Sequence, residues 1–227
     1  MKQQRYNVFN QIHKALRALF YDTAMAIQQT DFDKPQAAAT IARVQHVLDL
    51  LDDHSHHEDT FLFPEVTKYN PSLAEQFEKD HENDHKLTNE LRERIAEWNG
   101  ATDPAQKVTI GQGIFYAFNE FVAFNLYHMN REENELLLSL WSNFTDEQLM
   151  GISMQIIASI KPEILAYEME WMMRSLSNDE IIGWMTGVKM NASTEQYLQL
   201  VGAAQRLLPA ERWNVVHQAL ELKIELV

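Results

Sequence analysis

The chain has no cysteine among its 227 residues. That excludes disulfide frameworks, zinc fingers, iron–sulfur clusters and thiol redox chemistry. Any metal bound here must be held by nitrogen and oxygen. Glycine and proline are scarce, at seven and six. Strand signals are nearly absent, with no Asn-Gly hairpin between alternating apolar residues. No apolar run approaches the ~18–20 residues of a membrane span. The opening MKQQRYNVFNQIHKAL lacks the apolar core and small-residue cleavage site of a signal peptide, so a cytoplasmic location is expected. Basic residues are outnumbered 19 to 33, for a net charge of −14. That balance argues against nucleic acid and anionic membrane as partners.

What is present is helical periodicity and histidine. Eight of the nine histidines lie before residue 145, so the chemistry is expected in the N-terminal two-thirds. Apolar residues recur at helical spacing in four long stretches, roughly 6–29, 35–68, 73–98 and from about 104 to 141. Breaker-rich segments part them: TDFDKP, YNPS and NGATDP. In the last of these, Gly100 is the expected C-cap, with Asp103 and Pro104 as N-cap and first helical residue. Four long helices with short connections predict an up-down-up-down four-helix bundle. From Thr145 the texture changes to four or five short helices. Thr145–Gln148 and Ser177–Glu180 have capping-box spacing and hint at a weak internal repeat. The expected division is therefore a bundle over 1–144 and a helical C-terminal region over 145–227.

Each apolar face of the bundle is interrupted by titratable residues. The first helix carries His13 between Phe9 and Leu16. The second reads Val44, Val47, Leu51, His54, Glu58, Phe61 along its inward face. The third carries His81 and His85, and the fourth His128 and Glu132. Three of the four use a pair spaced i,i+4, which sets both side chains on one face. Heights agree as well. Counted from Asn70, Glu58 lies twelve residues before and His81 eleven after; His54 and His85 lie sixteen and fifteen away. The third turn fits less well, unless an irregular connection reaches Gly111 or Gly113. Burying five imidazoles and two carboxylates without a partner is costly, and a cation removes the cost. Seven ligands exceed one tetrahedral zinc and suit two metals. Nitrogen and oxygen donors without thiolate favour iron; manganese and zinc also fit the ligand types.

These residues resemble the hemerythrin-like, or HHE cation-binding, family. The resemblance runs over about residues 5–141. It rests on His13, then His54-Ser-His-His-Glu58-Asp59 leading to Leu62-Phe63-Pro64, then His81-Glu-Asn-Asp-His85, then His128-Met-Asn-Arg-Glu132-Glu133. It implies a four-helix bundle around two non-haem iron ions, carboxylate- and oxo-bridged. By that resemblance His81, His85 and His128 bind one iron, His13 and His54 the other, and Glu58 and Glu132 bridge. Oxygen-carrying members place an Asp five residues after the last histidine. Here Glu132 stands at the fourth position and Glu133 at the fifth, which resembles the bacterial and sensory branch. The small ligand implied is O2, NO or peroxide.

Two other readings stand beside this one. The same centre could act as an enzyme on peroxide or in iron–sulfur cluster repair, although repair-type relatives carry a cysteine segment. The chain could instead be a structural module that binds metal incidentally, with 145–227 meeting a protein partner or a second copy. A ferritin-like site is disfavoured. Glu78-x-x-His81 and Glu82-x-x-His85 match its motif, but the second and fourth helices run His first, then Glu. His56 and His57 are expected to face solvent, and Asp59 is a candidate to orient a ligating imidazole. The methionines of MEWMM and the five tryptophans read as core.

Overall fold

Asparagine and aspartate open the two longest helices. The Asn70 side chain accepts from the Leu73 backbone N–H and the Asp103 side chain from that of Gln106, with Pro71 and Pro104 just inside. The computed structural model describes residues 5–222, and among them all regular structure is helical. The helices are α1 Asn10–Gln28, α2 Ala37–His57, α3 Phe63–Thr67, α4 Pro71–Gly100, α5 Pro104–Arg131, α6 Leu137–Asn143, α7 Asp146–Ser159, α8 Pro162–Ser175, α9 Asn178–Asn191, α10 Thr194–Leu207 and α11 Ala210–Leu222.

The four expected long stretches are present, with two interruptions that periodicity did not anticipate. A π-helical turn, Glu58–Leu62, joins α2 to α3, and a second, Glu132–Leu136, joins α5 to α6. In each, the N–H five residues on returns to the carbonyl of the glutamate, Phe63 to Glu58 and Leu137 to Glu132. The wider turn carries one extra residue and rotates everything after it. Hence Phe61, expected inward, is only half-buried, and Leu62, Phe63 and Val66 take the core positions. The first π turn also relieves Pro64, which has no N–H to give and would crowd the carbonyl one α-turn back.

Two further expectations are corrected. Gly100 ends α4 inside the helix and Ala101 is the extended C-cap; no described residue has positive φ. The irregular connection reaching Gly111 or Gly113 does not occur either. The link between α4 and α5 is residues 101–103, and Gly111 lies within α5. Its role is close packing: a Cβ there would fall 2.0 Å from the Phe32 ring.

Helices α4 and α5 run antiparallel along one seam. The His81 and His128 rings lie 5.1 Å apart, and three residues on, Asp84 meets three residues back, Asn125, at 2.6 Å. The buried stripe of α4 is Ala74, Phe77, His81, Asp84, Thr88, Leu91, Ile95, Trp98, alternating steps of three and four.

The described chain divides into two compact units, one of residues 5–10 and 19–160, the other of 11–18 and 161–222. The expected division at 144 falls between α6 and α7. In the first unit α7 sets Leu149 into a core with Phe9, Phe63, Phe77, Leu136 and Leu140, with Ile152 and Ile156 packed against it. Arg5 ties the start of the chain to the same region, bonding the Asp146 carboxylate and the Trp141 and Phe144 carbonyls. The core of the second unit is formed by Met173, Leu176, Ile181, Met185, Leu200, Leu208, Val216 and Leu220 among others.

The internal repeat hinted at by two capping boxes extends to the whole C-terminal region. Helices α7 to α11 start at 146, 162, 178, 194 and 210, each sixteen residues after the last. Capping boxes form at Thr145, Ser177 and also Ser193. The second residue of every helix is acidic: Glu147, Glu163, Asp179, Glu195, Glu211, where the helix dipole favours negative charge.

Candidate metal centre

The N-terminal unit buries an unusual set of polar side chains. Glu132 is 0% exposed, Glu58 2%, His81 3%, His128 6% and His54 8%. Four of these, Glu58, His81, His128 and Glu132, each offer one ligand atom, all within 4.8 Å of one another. His54 offers one within the same distance of Glu58 and Glu132. Two groups of donors thus share both carboxylates. Glu58 divides its oxygens between them: Oε1 lies 3.3 Å from His54 Nε2 and Oε2 3.3 Å from His81 Nε2. Glu132 Oε1 lies 3.1 Å from His128 Nε2. Each glutamate is the first residue of a π turn, so the backbone widens where the carboxylate enters the core.

The outer ring nitrogens are also held. His81 Nδ1 is 2.8 Å from Asp59, and His128 Nδ1 is 3.5 Å from Asp80. Asp80 in turn bonds Arg131. The Asp59 bond fixes the His81 ring so that Nε2 points at the buried carboxylates, while Asp80 stands beside His128 as a charge partner. Phe63 stacks on His81 at 5.0 Å between centroids, Phe124 lies parallel to His128 at 6.1 Å, and Phe77 approaches His128 at 5.7 Å. Burial alone would lower both imidazole pKa values. Asp59 and Glu58 outweigh it at His81, and Glu132 and Asp80 at His128, pushing each up to about 10. The cluster is built to hold positive charge, as protons on the rings or as a metal ion between them. Oxygen and imidazole donors converging in a buried pocket, with no thiolate, fit a divalent cation.

The structure does not bring His85 into either donor group. Its side chain is 51% exposed and lies 3.6 Å from Asp52. The reason is the period of α4: the buried position after His81 comes three residues on, at Asp84, not four. His85 instead lines an open cleft with Asp59, Glu78, His81 and Glu82. Glu133 is half-buried and outside both groups, so Glu132 is the inward glutamate. His13 is fully buried on α1, in the segment 11–18 of the second unit. Sequence reasoning missed Asp80, Asp84 and Asn125. Asp84 follows from the three-four alternation of its helix; Asp80 and Asn125 leave no periodic signal.

The family model for the hemerythrin HHE cation-binding domain matches residues 4–138, more than half of the chain. The chain belongs to this family. The match ends inside α6, ahead of α7, so the sixteen-residue repeat lies outside the matched region. Neither a curated protein nor a solved structure matches the chain. Among the described residues no helix is long and apolar enough to cross a membrane.

Proposed function

We propose that this HHE domain is a hemerythrin-like up-down-up-down bundle that holds two non-haem iron ions and binds or senses O2, NO or peroxide. One observation carries the reading: the two donor groups share Glu58 and Glu132, and Glu58 directs one oxygen to each side. Shared carboxylates are what a pair of metals a few ångströms apart requires. On this reading His81 and His128 would hold one ion and His54 the other, with Glu58 and Glu132 shared, and the family resemblance adds His13 beside His54.

Bound there, the iron pair would supply redox-active metal with open coordination positions for a small ligand. The chain's own residues do the rest. Asp59 holds the His81 ring in one orientation, and Asp80 faces the His128 ring with its charge. Phe63, Phe77 and Phe124 wall the imidazoles off from water. The cleft lined by Asp59, Glu78, Glu82 and His85 reaches His81 from outside and suits the entry of a cation or a small ligand.

Anaerobic loading with Fe(II) followed by elemental analysis tests this. Two irons per chain are expected, and oxidation should give the near-ultraviolet absorption of a bridged ferric pair. One iron or none would overturn the pair. An absorption spectrum indifferent to O2, NO and peroxide would overturn the ligand reading.

A further inference from the structure

The seam between α4 and α5 contains a second buried polar pair that the donor groups do not use. Asp84 and Asn125 are each 2% exposed, in line with Leu91, Phe118 and Phe121. The Asn125 amide donates to Asp84 Oδ1 at 2.6 Å and to the Phe121 carbonyl of its own helix at 3.0 Å. Both of its N–H groups are thereby committed, and the amide is aimed at α4 by its own backbone. The other Asp84 oxygen is buried with no hydrogen-bond partner. A half-satisfied buried carboxyl is a poor way to stabilise a core, since leucines of similar volume would do better. It is a good way to select one alignment. Apolar stripes at helical spacing still pack after sliding by a turn, about 5.4 Å, whereas this hydrogen bond forms in one register only.

We infer that the Asp84–Asn125 pair is a positioning pair that pins the register of α4 against α5, and so sets His81 level with His128 and in reach of the shared carboxylates. The inference deepens the metal-centre reading and rests on it for its consequence. The register itself can be read without metal. The pair lies one turn from His81 and from His128 on their respective helices. A slip of one turn would part the two rings, now 5.1 Å apart, and carry His81 away from Glu58.

The experiment uses the full chain, whose lack of cysteine allows clean labelling. Spin labels on Gln76→Cys and Glu120→Cys, exposed positions on α4 and α5 offset by about 20 Å along the helix axes, report the register of the metal-free protein as a distance distribution. One narrow distribution is expected in the parent. The double variant Asp84→Leu with Asn125→Leu should keep its helix content and gain a second population about one helical turn, ~5 Å, away. The swapped pair, Asp84→Asn with Asn125→Asp, should return to one population. In parallel, Co(II) titration read by its ligand-field absorption should show at least about ten-fold weaker binding in the leucine variant, and recovery in the swap. An unchanged distribution in the leucine variant overturns the pin. A shifted register with unchanged cobalt binding and spectrum overturns its role at the centre. A parent that takes up no cobalt overturns the metal reading and leaves the distance measurement to decide the pin.

Discussion

His81 and His128 each give one ring nitrogen to a buried carboxylate and the other to an aspartate nearer the surface. That division predicts graded mutational effects. Glu58→Ala removes one of the two residues common to both donor groups and should abolish metal retention; elemental analysis after gel filtration reads it directly, and unchanged metal content would exclude bridging. Asp59→Ala leaves every donor in place but frees the His81 ring. A loss of about ten- to hundred-fold in affinity is expected, measured by chelator competition. His85→Ala should leave stoichiometry unchanged. Most of the donor set was legible in the sequence because i,i+4 spacing on three helices restricts which side chains share a face. His85 shows where that logic stops. Both three and four residues bring a side chain back to nearly the same face, and only the neighbouring helix decides between them. Asp80 and Asn125 were illegible because their partners, His128 and Asp84, come from contacts across the seam or along a turn, not from any period.

At the scale of elements, caps and breakers predicted the start of α5 at Asp103-Pro104 and two of the three capping boxes, but not the C-cap of α4 or the end of α5. The π turns escaped notice because the inward set of α2 could be continued to Phe61 without any visible break; the extra residue announces itself only as Leu62, Phe63 and Val66 in the core. Deleting Asn134, an exposed residue inside the second π turn, should restore α-helical geometry. The Leu137 N–H would then meet the Glu132 carbonyl as an ordinary α-helical bond, leaving α6 facing as before but closing the widened backbone at Glu132. Helix content by circular dichroism should persist while metal affinity falls. Gly111→Ala places a methyl against the Phe32 ring and should destabilise by about 1–3 kcal/mol, seen as a lowered unfolding midpoint. In the repeat, Ser177→Ala and Ser193→Ala should each cost about 1 kcal/mol. The two effects should add in a double variant, because the caps share no partner.

Over the whole molecule, composition bounded the answer correctly in one respect: a cysteine-free chain rich in helical pattern yields only helices among the described residues. The repeat was harder to see. Its sixteen-residue period is carried by one cap, one acidic position and a few apolar ones, and α8 opens on Lys161-Pro162 and α11 after Pro209, where no capping box marks the start. The net charge of −14 acts on the molecule as one body. A field of that sign draws cations toward the surface. The association rate of Co(II), followed by stopped-flow absorption, should accordingly fall several-fold as ionic strength rises and the Debye length shrinks from ~30 Å at 0.01 M to ~8 Å at 0.15 M.

The three-residue link between α4 and α5 has a consequence in time. Contacts close in sequence form with little loop-closure entropy and so form early. The link between α3 and α4, residues 68–70, is equally short, and Glu58 stands nearer His81 in sequence than His128 does. A folding chain therefore brings Glu58 to His81 first, and closure of the α4–α5 seam then adds His128 and Glu132. A cation present from the start should speed the folding arm of a chevron rather than only slow unfolding.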